Sequence, residues 1–213
     1  MAGHPPLGVD IEQKTLAGSE RDEEARSAWR AATAQLDPEQ LVLVDESGTT
    51  SSLTRWSGWA PHERRASGSV PRHHGRNTTL VAALAPDELH EPWLIEGAME
   101  TESFACSIAE QLAPTLRPGQ VVVVDHLCAH QADRIRLAIT ARGCELLFLP
   151  PYSPDFTPIE QAFSKIKAIL RGLGARTKEA LQEAVHLAIE AITRHDAAAW
   201  FAHAGYALPA QAT

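Results

Sequence analysis

Four consecutive valines, Val121 to Val124, stand between the turn signal "RPGQ" and Asp125. Side chains alternate faces along a strand, so a run that is apolar at every position has two faces to bury. Such a strand belongs in the middle of a sheet with layers on both sides. That requirement excludes an all-helical fold and asks for amphipathic helices around the run. One is expected near Thr101, with Phe104, Ile108, Leu112 and Leu116 on its apolar face, and another from about Ala132 to Arg142. A third follows Pro158, where Ile159, Phe163, Ile166, Leu170 and Leu173 recur at helical spacing. Two more are expected from about Thr177 to Arg194 and from about Asp196 to Ala204. Further strands are read at "LVLV", ending at Asp45, at "LTRWSGWA", "NTTLVAALA" and "PWLIEG", and at "CELLFLP". Three strands, helix, strand, helix, strand and helix make a mixed α/β sheet with helices on its faces.

Residues 1–36 read as an arm or linker, ending in a polar helix with Trp29 as its large anchor, and Asp37-Pro38 is the turn that opens a domain over 37–213. With 213 residues, 44% hydrophobic, one domain with an appendage can bury a sizeable core. No apolar run reaches membrane-spanning length and the start has no signal pattern, so a cytoplasmic protein is expected. Cys106, Cys128 and Cys144 form no C-x-x-C pair and leave an odd count, which suits free thiols in a reducing compartment.

A net charge of −8 excludes a surface that is basic throughout, but the charge is uneven. Between Arg55 and Arg76 only Glu63 offsets a cluster of arginines and histidines. Arg64, Arg65, Arg72 and Arg76 are therefore candidate phosphate contacts, and Lys167 and Arg171 join them from the edge of the helix that follows Pro158.

In open α/β sheets, functional groups gather at the carboxyl ends of strands. Asp45 ends the first strand, Asp125 ends the valine strand, and Glu160 follows "LPPYSPDFTPI" at the start of a helix. Glu160 has a second reading, because Thr157, Pro158 and Glu160 spell a T-x-x-E capping box. If the three acids converge, their repulsion calls for raised pKa values or bound cations. Hard oxygen ligands select Mg²⁺ or Mn²⁺, and two such ions about 3.5–4 Å apart can drive an in-line phosphoryl displacement.

The blocks "LVLVDESG", "VVVVDHLCAH" and "LPPYSPDFTPIEQAF", with 34 residues between Asp125 and Glu160, resemble the acidic blocks of bacterial insertion-sequence transposases related to the Tc/mariner superfamily. The resemblance runs from about Lys14 to Leu208. It implies a ribonuclease-H-like fold and a triad of Asp45, Asp125 and Glu160 that binds two divalent ions, cuts transposon ends and joins them to target DNA. It also implies a bacterial, nucleoid-associated protein, a homodimer, and recognition of the element's ends by an amino-terminal helix-turn-helix region, expected here from a separate polypeptide. Where that family usually has Asn after the second Asp, this chain has His126.

Two rival functions follow from the same residues: a structure-selective metal-dependent nuclease that cuts without joining, and an inactive remnant or interaction module. His126, Cys128 and His130 alternate as zinc ligands can, but no second ligand block accompanies them. The resemblance gives His130 a role in orienting the loop after Asp125. Trp56 and Trp59 suit either stacking on bases or the cover of a hairpin.

Overall fold

The computed structural model describes residues 21–55, 57–71, 77–125 and 132–208. Strands β1 (Leu41–Thr49), β2 (Thr78–Leu84), β3 (Leu89–Glu96), β4 (Val121–Val124) and β5 (Glu145–Phe148) form one sheet in the order β3-β2-β1-β4-β5. β1, β2 and β3 are antiparallel, whereas β1, β4 and β5 run parallel. The helices are α1 (Glu23–Thr33), α2 (Thr101–Ser107), α3 (Ala132–Thr140), α4 (Ile159–Leu173), α5 (Lys178–Glu190) and α6 (Arg194–His203).

The valine run sits where its composition demands, between two cores. Val121 and Val123 join Leu41 and Leu43 against Phe163, Ile166 and Leu170 of α4, with Val185 of α5 and Phe201 of α6 in the same core. Val122 and Val124 join Val42 and Val44 against Phe104, Ile108 and Leu112 on the other face, with Ile135 and Ile139 of α3. The period of two thus splits one apolar run between two helical layers.

Four expectations need correction. β1 does not stop at Asp45; it continues to Thr49 because β2 stays paired with it as far as Thr78, although β4 ends at Val124. "LTRWSGWA" forms no strand among its described residues, and the carbonyls of Ser51 and Leu53 are instead taken by the Arg176 guanidinium. The helix at Thr101 passes into a π turn at Ile108–Leu112 and a 3₁₀ turn at Ala113–Thr115, where Pro114 has no N–H to continue an α ladder. The segment expected as one helix from Thr177 to Arg194 stops at Glu190. Thr193 and Asp196 build a capping box that starts α6 instead.

α1 is capped by Asp22, which accepts from the N–H groups of Glu24 and Ala25. Trp29 is half-buried against the core on the α4 side, as an anchor should be, but the most buried side chain of the helix is Arg26, 5% exposed. Among the described residues no helix is long and apolar enough to cross a membrane. Cys106 and Cys144 are free thiols; Cys128 lies outside the described residues.

Phe163 is 2% exposed in the contact between α4 and the sheet. Phe163→Ala should cost about 3–5 kcal/mol, because buried aromatic truncations lose both transfer energy and packing. Urea denaturation of parent and variant checks this.

Candidate active site

Two strands and one helix deliver the three acids to one place. β1 and β4 pair in parallel, with Leu41 opposite Val121 and Leu43 opposite Val123. Two residues further along the same register come Asp45 and Asp125. By alternation they share a face with Leu41, Leu43, Val121 and Val123, the face covered by α4. α4 lays Ile159, Ala162, Phe163, Ile166 and Leu170 onto that face. Glu160 follows Ile159 by one residue, about 100° round the helix, and so stands at the edge of the buried stripe. Asp45, Asp125 and Glu160 line one cleft of about 440 Å³ with Val44, Leu149 and the turn from Pro150 to Pro154.

That turn explains why the chain stiffens before α4. Leu149 N–H donates to Val124 C=O and carries the parallel pairing one residue past β5. Tyr152 then takes a left-handed conformation, φ 54°, rare for a non-glycine residue and a form of strain that collects at functional sites. The capping box read from the sequence is not made. The Thr157 hydroxyl donates to Pro154 C=O at 2.7 Å, and α4 begins without a side-chain cap. Thr157 is thus spent on closing the 3₁₀ turn Pro154–Phe156, and no cap occupies the Glu160 carboxylate.

The described residues that line the cleft include three acids and no Lys, Arg or His. Burial, followed by the charges of Glu46, Glu160 and Asp125, pushes the Asp45 carboxyl up from 3.8 to about 7, against a 2.8 Å hydrogen bond from Glu46 N–H that favours the ionised form. Glu46 is itself raised, first by loss of water around it and then by Asp125. Among the described residues, no three His, Cys, Asp or Glu side chains already stand close enough to hold a metal ion together.

The sequence model of the DDE superfamily endonuclease family matches residues 40–182, which span all three acids. The chain belongs to the DDE superfamily endonucleases. Its fold is similar to that of the Mos1 mariner transposase catalytic domain, with a TM-score of 0.59 at 12% identity over 91% of each chain. The Mos1 transposase paired-end complex with left transposon end gives a TM-score of 0.68 at 14% identity, and the paired-end complex with Mn 0.66 at 14%. In both, 92% of this chain is covered, but it spans only 63% and 64% of those chains. At such identity the likeness shows the fold, which is the expected ribonuclease-H-like mixed sheet flanked by helices. No curated protein sequence matches the chain.

Within this endonuclease domain the remaining candidates fall into three groups. Lys167 and Arg171 are half-buried on α4, seven and eleven residues after Glu160, on the same side of the helix. Beside them Arg55 lies against Gly172, its Nη2 3.0 Å from where a Cβ would stand, so only glycine admits this approach without movement. Arg64 and Arg65 are exposed in the segment after β1, as is Trp59. Arg72, Arg76, Trp56, His126, Cys128 and His130 lie outside the described residues. Two features escaped the sequence reading. Glu46 was signalled only by its place beside Asp45, and Tyr152 only by the prolines around it.

The raised Asp45 pKa has a sign. In the metal-free protein Asp45 binds its proton more tightly when folded than unfolded, so its contribution to stability is full below about pH 4 and is lost as pH rises through about 7. Asp45→Asn stays neutral and should escape that loss. Melting curves in EDTA should show the variant close to the parent near pH 4 and more stable than it at pH 8.

Proposed function

We propose that this chain is the catalytic domain of a bacterial insertion-sequence transposase, cutting DNA at transposon ends and joining those ends to a target. The observation that carries the reading is that three carboxylates from β1, the end of β4 and the start of α4 line one cleft, within a domain that matches the DDE superfamily endonucleases. We take residues 37–213 as the catalytic domain and 1–36 as an arm leading into it.

The donor set fits a divalent cation. It is all oxygen and acidic, and the Asp45 carboxyl is pushed up to about 7 by burial first and then by neighbouring acid charge that a cation would offset. Asp45, Asp125 and Glu160 would hold Mg²⁺ or Mn²⁺, taken as two ions. When bound, these supply Lewis-acid activation of the attacking oxygen and charge stabilisation at the leaving oxygen of a phosphodiester. The protein's own part is placement. Pairing with β2 fixes Asp45, Asp125 directly follows the last paired residue of β4, and the prolines stiffen the approach to Glu160. Val44, Leu149, Pro150 and Pro151 wall the cleft with apolar surface that strengthens each electrostatic contact inside it.

Lys167 and Arg171 on the Glu160 side of α4, with Arg64 and Arg65 after β1, supply phosphate contacts for DNA passing the cleft. Such contacts position the strand and carry no sequence information. The reading therefore includes recognition of transposon ends by a separate helix-turn-helix polypeptide, assembly as a homodimer, and work at the bacterial nucleoid.

Asp45→Asn, Asp125→Asn and Glu160→Gln should each reduce Mg²⁺- or Mn²⁺-dependent cleavage of DNA carrying a transposon end by about 100-fold or more, since outer-shell partners alone are worth about 10–100-fold. Cleavage that persists in EDTA, or in any of the three variants, would overturn the assignment. Joined products in the same reaction separate a transposase from a nuclease that only cuts.

Replacing Arg64, Arg65, Lys167 and Arg171 together by Ala should lower the slope of log affinity against log salt by up to about 0.9 for each duplex phosphate contact removed. An unchanged slope would assign these side chains to solvated surface.

A further inference from the structure

The geometry points to Arg26 of α1 as a positioning residue for Glu160, acting through the turn that leads into α4. This inference rests on the reading of Glu160 as a metal-binding carboxylate.

A buried arginine in a polar helix needs a reason. Arg26 is 5% exposed, and its guanidinium grips Asp155 with both forks, Nη1 to Oδ1 at 3.1 Å and Nη2 to Oδ2 at 2.7 Å. Its Cζ lies 4.0 Å from the centre of the Phe156 ring, and Cζ of Arg30 lies 4.2 Å from the same centre. Arg21 adds a further contact to Asp155 at 3.2 Å. α1 therefore holds two successive residues of the 3₁₀ turn Pro154–Phe156 by a forked ion pair and by stacking. The same turn is held from the other end of the chain, where the Tyr206 hydroxyl donates to Phe156 C=O at 2.9 Å.

The turn is the last structure before the third acid. Phe156 N–H donates to Ser153 C=O, the N–H and hydroxyl of Thr157 both donate to Pro154 C=O, and Glu160 N–H donates to Thr157 C=O. From Asp155 to Glu160 the backbone is thus tied by short hydrogen bonds and by prolines at 154 and 158, and a shift at Asp155 moves the start of α4. Asp155 does not line the cleft, so its part in the site is indirect.

A field effect and a positioning effect predict opposite outcomes, which makes the inference testable without catalysis. Removing the positive charge of Arg26 should tighten cation binding if only the local field matters, and weaken it if the guanidinium sets the turn. The experiment is calorimetric titration of the metal-free full chain with Mn²⁺, without DNA, for the parent, Glu160→Gln, Arg26→Ala, Arg26→Lys and Asp155→Asn. We expect Arg26→Ala, Arg26→Lys and Asp155→Asn each to weaken Mn²⁺ binding by about 10-fold, the size typical of residues that orient a metal ligand. The Arg26→Ala/Asp155→Asn double variant should be no weaker than the weaker single one, because both changes break one link. Arg26→Lys keeps the charge and loses the fork, so it decides the matter if Arg26→Ala fails to fold.

Parent-like Mn²⁺ affinity in Arg26→Lys, or tighter binding in Arg26→Ala, overturns the inference; a lowered melting temperature with unchanged affinity would mark Arg26 as a structural clasp only. If Glu160→Gln itself binds Mn²⁺ as the parent does, it is the metal-site reading that falls.

Discussion

The parallel pairing of β1 with β4 is the constraint on which the rest of the structure depends. Leu43 opposite Val123 sets the next same-face residues, Asp45 within β1 and Asp125 just past β4, at matching positions of neighbouring strands. Backbone hydrogen bonds hold that arrangement, and the apolar side chains beneath lose water only in this register; a slip of either strand by one residue would turn its aspartate to the α2 and α3 side and away from α4. The repulsion between the acids is thus imposed by the sheet and opposed by two cores, with the Glu46 N–H hydrogen bond relieving part of it at Asp45.

Repulsion imposed in this way has a direction. Burial first, and then the neighbouring acids, pushes the Asp45 carboxyl up to about 7, so the metal-free protein keeps a proton there below that pH. A divalent cation would do the same work better, because it neutralises more charge and leaves every oxygen available as a ligand. Stability and function therefore pull against each other here. The strained Tyr152, the prolines and the Arg26–Asp155 ion pair together shape the turn that leads into Glu160.

The capping residues show how local and tertiary chemistry compete. Thr157, Pro158 and Glu160 have the spacing of a capping box, and at Thr193 and Asp196 the same kind of box does form. The difference is geometric. At Thr193 the chain enters the helix extended, with φ −103° and ψ 159°, which leaves the hydroxyl free to accept from Asp196 N–H. Thr157 is also extended, with φ −110° and ψ 99°, but there the first carbonyl of the preceding 3₁₀ turn, that of Pro154, captures the hydroxyl.

By itself the sequence determined the layered sheet, because four adjacent valines can be buried on both faces only in such an arrangement. It also marked the apolar stripe of α4 and the acids Asp45, Asp125 and Glu160 as residues at element ends that a shared site could use. Periodicity and turn chemistry are local, so they are legible in a linear string. Only the tertiary structure decided that β1 runs past Asp45, that Thr157 closes a turn instead of capping a helix, and that Arg26 is buried against Asp155 and Phe156 from 129 residues away in sequence. Those outcomes depend on which partner reaches a polar group first in the folded chain, and a carboxylate, a hydroxyl or a guanidinium carries no sign in the sequence of the distant group that will take it.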